Sequence, residues 1–190
     1  ICDMAHARGV PVMVDGAHAF AHLNYKIPDL DCDFYGASLH KWLAAPLGTG
    51  LLYVKKERIA AVWPMFADLS MADDDIRKLN HKGTNPVHTA LTIPDSIAFH
   101  QVIGGARKEA RLRWLQQYWT TKVRALPKIV MNTPSDPNRT GAIANVGVAG
   151  MKPAELAKVL LEKYKIFTVA IDGAGVHGVR VTPQVYTAAS

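Results

Sequence analysis

Two stretches decide the fold: VPVMVDGAHA, Val10 to Ala19, and CDFYGASLHKW, Cys32 to Trp42. Val10 to Asp15 is a continuous apolar run ended by an acid, the pattern of a strand buried on both faces of a parallel sheet. CDFYGAS has the same character. Between them, HAFAHLNYKIPDL leaves room for a crossover with one short helix, so the two strands can run parallel with their C-terminal ends together. That arrangement brings Asp15 and the Ser38 to Lys41 turn to one edge of the sheet, the edge at which open α/β sheets bind ligands. GTGLLYVKKE reads as a further strand, entered through Gly48 and Gly50.

Outward from this centre the pattern changes twice. ICDMAHARG, at the start, reads as the last turns of a helix closed by Gly9 at a C-cap position. WPMFADLSMADDD has no clear period and reads as a loop, and the following HKGTNPVHTALTIPDSIAFHQVIGG leads from a Gly/Asn/Pro turn into a helix that Pro94 either starts or kinks. Gly104 and Gly105 break that pattern. ARKEARLRWLQQYWTTKVRAL resumes it, with Leu112, Leu115, Trp119 and Val123 three and four apart. The remainder reads as strand (IVMN), turn, strand (AIANVGV), helix (PAELAKVLLEKY, with Leu156, Val159 and Leu160 on one face), and strands FTVAI and VRVTP. The expectation is an α/β domain with a mostly parallel sheet over 1–105, then a smaller α+β domain over 106–190.

Composition bounds the function classes. The chain has 190 residues, 49% hydrophobic and 20% charged, the balance of a globular protein. No apolar run reaches the ~18 residues that cross a bilayer, and the first residues lack the form of a signal peptide, so a cytoplasmic address and no membrane partner are expected. Cys2 and Cys32 make no disulfide framework and no zinc spacing. The formal charge is +6. Its basic residues are scattered, and the densest cluster is interrupted by Glu109, which argues against a nucleic-acid surface; a small anionic ligand such as a phosphate ester suits the same charge. Opening on Ile1 inside a helical pattern and ending soon after a β-like run, the sequence reads as truncated at both ends, an internal piece of a longer protein.

Taken in order, VDGAHA, DFYGASLHKWLAAPLGTGLLYV, KGTNPV and GVRVTPQVYT resemble the second half of a class V, fold type I pyridoxal phosphate enzyme. That group includes aminotransferases, isopenicillin N epimerase-like proteins, cysteine desulfurases, selenocysteine lyases and kynureninases. DGAHA with SLHKW and RVTPQVYT is most similar to the epimerase-like and aminotransferase branches. The resemblance implies part of the large cofactor-binding domain followed by an incomplete small C-terminal domain, with pyridoxal 5'-phosphate as cofactor, an amino acid as substrate and a homodimer as the working form.

It also implies residue roles. Lys41 becomes the Schiff-base lysine; alone it would read as a surface lysine with its stem along Trp42. Asp15 becomes the carboxylate that keeps the pyridine nitrogen protonated, in a place water reaches poorly; alone it is equally a turn or cap residue. His18 takes the position beside the ring that contacts the phenolic oxygen, where many members have glutamine. Ser38 and His40 become phosphate donors, Thr84 reaches the phosphate of the neighbouring subunit, and Arg180 clamps the substrate carboxylate with its planar guanidinium. Taken singly, Ser38, His40 and Thr84 read as turn residues and Arg180 as a strand arginine.

Rival readings rest on specific residues. His18 and His22, four apart, with His6, His40 or Asp15, could hold a metal, but no HExxH glutamate accompanies them. Desulfurase or selenocysteine lyase-like elimination needs a mobile cysteine late in the chain, and none follows Cys32. A non-catalytic scaffold would keep the fold without needing Asp15, His40 and Lys41 together. The expectation is a fragment of an epimerase-like class V enzyme, inactive by itself.

Overall fold

The computed structural model describes residues 1–66, 70–81 and 83–189. A short helix, Cys2–His6 (α1), leads through Gly9, whose φ of 67° suits a residue without Cβ, into strand Met13–Asp15 (β1). Strand Phe34–Ser38 (β2) pairs parallel to β1 with Asp15 opposite Gly36, and Gly50–Val54 (β3) returns antiparallel to β2. The sheet order is β1-β2-β3. The crossover from β1 to β2 consists of turns and a 3-10 segment, Ile27–Leu30, closed by Asp31 in the left-handed region.

The β2 strand alternates, with Tyr35 and Ala37 buried against Cys32, Phe20, Ile27 and Leu30. A second cluster, Leu39, Leu43 and Ala45, lies just past its end and packs with Ile93. The turn after β2 is therefore fixed by apolar side chains on either side of Lys41. The expected burial of Val10 to Asp15 on both faces does not hold: β1 spans only three residues, and Val10 and Met13 are exposed. β1 is the outer strand of its sheet, and an apolar run records composition, not which faces acquire cover.

Trp63 to Asp75, expected as a loop, contains no helix or strand among its described residues, and 67–69 lie outside them. Val87–Leu91 (α2) and Ile93–Ile103 (α3) follow, with Pro94 in the first turn of α3, where its missing N–H costs nothing. The chain divides into two compact units, Ile1–Ile103 and Gly104–Ser190.

The second unit starts with Gly105–Arg124 (α4), which buries Leu112 and Leu115 as the spacing predicts. Its sheet comprises Ile129–Met131 (β4), Ala144–Val148 (β5), Val169–Gly173 (β6) and Val176–Val181 (β7), fully antiparallel in the order β4-β5-β7-β6. Pro153–Tyr164 (α5) connects β5 to β6. One sheet face, with Val146, Val148, Val179 and Val181, meets Trp119 and Val123 of α4 and Leu156 and Leu160 of α5 around an apolar cavity of about 350 Å³. Val159, expected beside Leu156 and Leu160, is instead exposed, one helical step off the buried stripe. By alternation, Asn145, Gly147, Gly178 and Arg180 occupy the opposite face.

Candidate active site

Asp15 ends β1, and its Oδ1 accepts from the Ala17 N–H at 2.9 Å, turning the chain sharply out of the sheet. The next residue has no room for a side chain. A Cβ on Gly16 would collide with the ring of Tyr35, which lies beneath it. The Tyr35 hydroxyl donates to the Gly16 carbonyl at 3.4 Å and contacts the Tyr25 hydroxyl. Burial, then the Tyr25 contact, pushes the Tyr35 phenol far above its ordinary range, so it remains a neutral prop under the turn.

His18 leaves this turn toward the one that follows β2. Its Nε2 lies 3.3 Å from Lys41 Nζ, and its Nδ1 accepts from the Trp42 indole N–H at 3.4 Å. Trp42 is buried and stacks on His22 with ring centroids 4.0 Å apart, while His22 Nδ1 donates to the His18 carbonyl at 2.8 Å. Two neighbouring residues of one turn thus grip the same imidazole from both sides. Lys41 is half-buried and directs its nitrogen to His18.

The parallel register brings Asp15, His18, Ser38, His40 and Lys41 to the C-terminal edge of β1 and β2. His40 is half-buried, and its Nδ1 is enclosed without a hydrogen-bond partner. Thr84 is exposed in a bend ahead of α2, and no described contact links it to the Lys41 turn. In the second unit Arg180 lies on β7 with Nε enclosed and unpartnered. Asp15 departs from expectation: among the described residues it is exposed, on the same side of β1 as the exposed Met13. Among the described residues, no three His, Cys, Asp or Glu side chains are grouped to hold a metal ion.

Sequence reading missed the parts of Trp42, His22 and Tyr35. Consecutive residues such as Lys41 and Trp42 diverge in a strand. Only the turn directs both to His18, and adjacency in the SLHKW motif was the sole available hint.

The family model for aminotransferase class-V matches residues 1–187. The chain belongs to that family. Its members work with pyridoxal 5'-phosphate. The chain is 29% identical to the isopenicillin N epimerase of Streptomyces clavuligerus, over 98% of this chain and 51% of that protein. It is 28% identical to a probable cysteine desulfurase of Halalkalibacterium halodurans, over 84% of this chain and 41% of that one. A cystine C–S lyase variant solved with glycine covalently linked to its PLP cofactor superposes with a TM-score of 0.79 at 19% identity, over 93% of this chain and 48% of the lyase, which shows the fold. The chain spans about half the length of the curated relatives it matches.

The residues at the sheet edge fit the family cofactor in their chemistry. They include an amine, a carboxylate and, on the residue before the lysine, an enclosed imidazole nitrogen without a partner among the described residues, groups whose chemistry suits an aldehyde, a ring nitrogen and a phosphate.

Proposed function

We propose that this chain is the C-terminal half of a homodimeric, epimerase-like class V enzyme that acts on an amino acid through pyridoxal 5'-phosphate held on Lys41. One observation carries the reading: Lys41 Nζ meets His18 at the sheet edge where Asp15 ends its strand, with the orphaned His40 Nδ1 next in sequence. The 29% identity to an isopenicillin N epimerase and the lack of any cysteine after Cys32 favour proton transfer at the α-carbon over removal of sulfur.

Each residue then has a physical task. When bound, pyridoxal 5'-phosphate supplies an electron sink for the carbanion at the substrate α-carbon. Lys41 is the residue that would hold the cofactor through its nitrogen and, once freed by the substrate amine, would carry the α-proton. His18 holds the lysine nitrogen in place for this. With Trp42 donating to Nδ1, a neutral His18 ring carries its one N–H on Nε2, the atom that faces Lys41 Nζ. Asp15 keeps a proton on the ring nitrogen. When the cofactor is bound, His18 would give its single Nε2–H to the phenolic oxygen, Ser38 and His40 would donate to the phosphate, and Thr84 would reach the phosphate of the partner subunit. Arg180 binds the substrate carboxylate by paired N–H donors.

The test is reductive trapping. The chain incubated with pyridoxal 5'-phosphate is treated with borohydride and digested, and a pyridoxyl group is expected on the peptide bearing Lys41. A visible absorbance band in the untreated sample is expected to vanish in Lys41→Ala. Label spread evenly over surface lysines, or a Lys41→Ala variant that keeps band and label, overturns the reading.

A further inference from the structure

On the face of the second sheet away from its helices, two side chains directly opposite each other in the β5–β7 ladder, Asn145 and Arg180, each have an enclosed nitrogen without a partner among the described residues, Asn145 Nδ2 and Arg180 Nε. Every other polar group of Asn145 is engaged. Its N–H donates to the Thr133 hydroxyl at 2.8 Å, its carbonyl accepts from the Asn132 N–H at 3.1 Å, and its Oδ1 accepts from Asn132 Nδ2 at 2.7 Å.

This chain of bonds also fixes which end of the amide faces where. Asn132 Nδ2 donates in addition to the His177 carbonyl at 3.1 Å, and a carbonyl can only accept. The Asn132 amide therefore cannot be reversed without facing oxygen to oxygen. Its NH2 in turn requires Oδ1 of Asn145, which leaves the Asn145 NH2 as the group still lacking an acceptor. Gly178 permits the arrangement, since a Cβ there would strike Asn145 Oδ1 and the Val146 carbonyl.

Enclosed donors in a native protein ordinarily have acceptors. Here two unmet donors, one amide and one guanidinium, stand on facing positions of adjacent strands. We propose that Asn145 Nδ2 and Arg180 Nε form a joint donor site for a carboxylate, with Asn145 as a substrate-binding and specificity-determining residue. This rests on the reading of Arg180 as the carboxylate-binding residue and adds to it: the ligand must offer oxygens to both donors, so a carboxylate is accepted and a carboxamide, which presents one oxygen and an NH2, is rejected.

The experiment uses the 190-residue chain labelled with nitrogen-15 and titrated with acetate, with acetamide as the neutral isostere. The Arg180 Nε–H and Asn145 Nδ2 resonances are expected to shift together and saturably with acetate, and to stay still with acetamide. Asn145→Asp keeps an acceptor for Asn132 but replaces the donor by an anion, and is expected to weaken acetate binding roughly tenfold or more. Asn145→Ala serves if the aspartate variant does not fold. A shift of Arg180 alone, or unchanged acetate affinity in the variant, overturns the role of Asn145 and leaves Arg180 standing; no shift at either overturns the joint site. Pyridoxyl trapping on Lys41 is expected to be unaffected by Asn145→Asp, so failure here is separable from failure of the cofactor assignment.

Discussion

The two ends of the first sheet treat their aspartates in opposite ways. At the N-terminal end of β2, the buried Asp33 is saturated: Oδ2 accepts from the Val12 N–H and meets His6 Nε2, both at 2.7 Å, and Oδ1 accepts from Arg58 Nε at 2.6 Å. Lys55 and Asp31 pair beside it at 2.6 Å. At the C-terminal end, Asp15 is exposed and accepts from its own turn, and His40 Nδ1 has no partner among the described residues. The first end uses its polar groups to tie α1, β1, β2 and the segment after β3 together. The second leaves polar groups unsatisfied among the described residues, the condition the proposed cofactor site requires.

That contrast can be broken by substitution. The largest functional effect is expected at Lys41, where Lys41→Ala removes pyridoxyl trapping entirely while urea-unfolding stability changes by no more than about 0.5 kcal/mol, the range of surface substitutions. A large loss of stability in this variant would make the open end structural after all. Asp33→Ala is expected to do the reverse, lowering the urea midpoint more than any other change considered and leaving His6 and Arg58 without their shared acceptor. Under conditions where it folds, trapping at Lys41 persists.

The same carboxylate sets a pH dependence. The Val12 N–H, then His6 and Arg58, hold the Asp33 carboxyl well below the usual carboxylate range. A group whose folded pKa is depressed contributes stability that is fully present above its unfolded value, ~3.9 for aspartate, and is lost as pH falls below that value toward the folded one. Unfolding followed by circular dichroism is expected to show this acid loss in the parent chain and a smaller one in Asp33→Ala.

Smaller effects sharpen the contrast at the open end. Gly16→Ala forces a methyl group onto the Tyr35 ring and is expected to cost about 1–3 kcal/mol, as overpacking does. Trp42→Phe removes the bond to His18 while keeping a ring against His22, an expected loss of about 1 kcal/mol with slower labelling of Lys41 at unchanged final yield. Equal labelling rates in the two proteins would mean that Trp42 does not set the state of His18.

Much of this was legible in the letters. The apolar runs on either side of a crossover-length segment gave the parallel pair and hence the shared edge of Asp15 and the Lys41 turn, since a strand pair joined in that way has few arrangements. The helix over PAELAKVLLEKY and the strands after it follow from apolar period and from proline at a helix start. Less legible was cover. Nothing in VPVMVD distinguishes a central strand from an outer one, so the expected burial of Val10, Met13 and Asp15 was lost. The grip of Trp42 and His22 on His18, and of Asn132 on Asn145, joins residues far apart in sequence through side-chain atoms whose directions no periodicity records.

The sequence by itself determined the kind of protein, because backbone sterics and apolar spacing fix strands, crossover and helices, and because an acid, an imidazole and a lysine stand in the order of the class V motifs. Only the tertiary structure decided which polar groups are spent and which remain available. Satisfaction of a donor or acceptor depends on atoms within about 3 Å, and those distances exist only after the chain has folded.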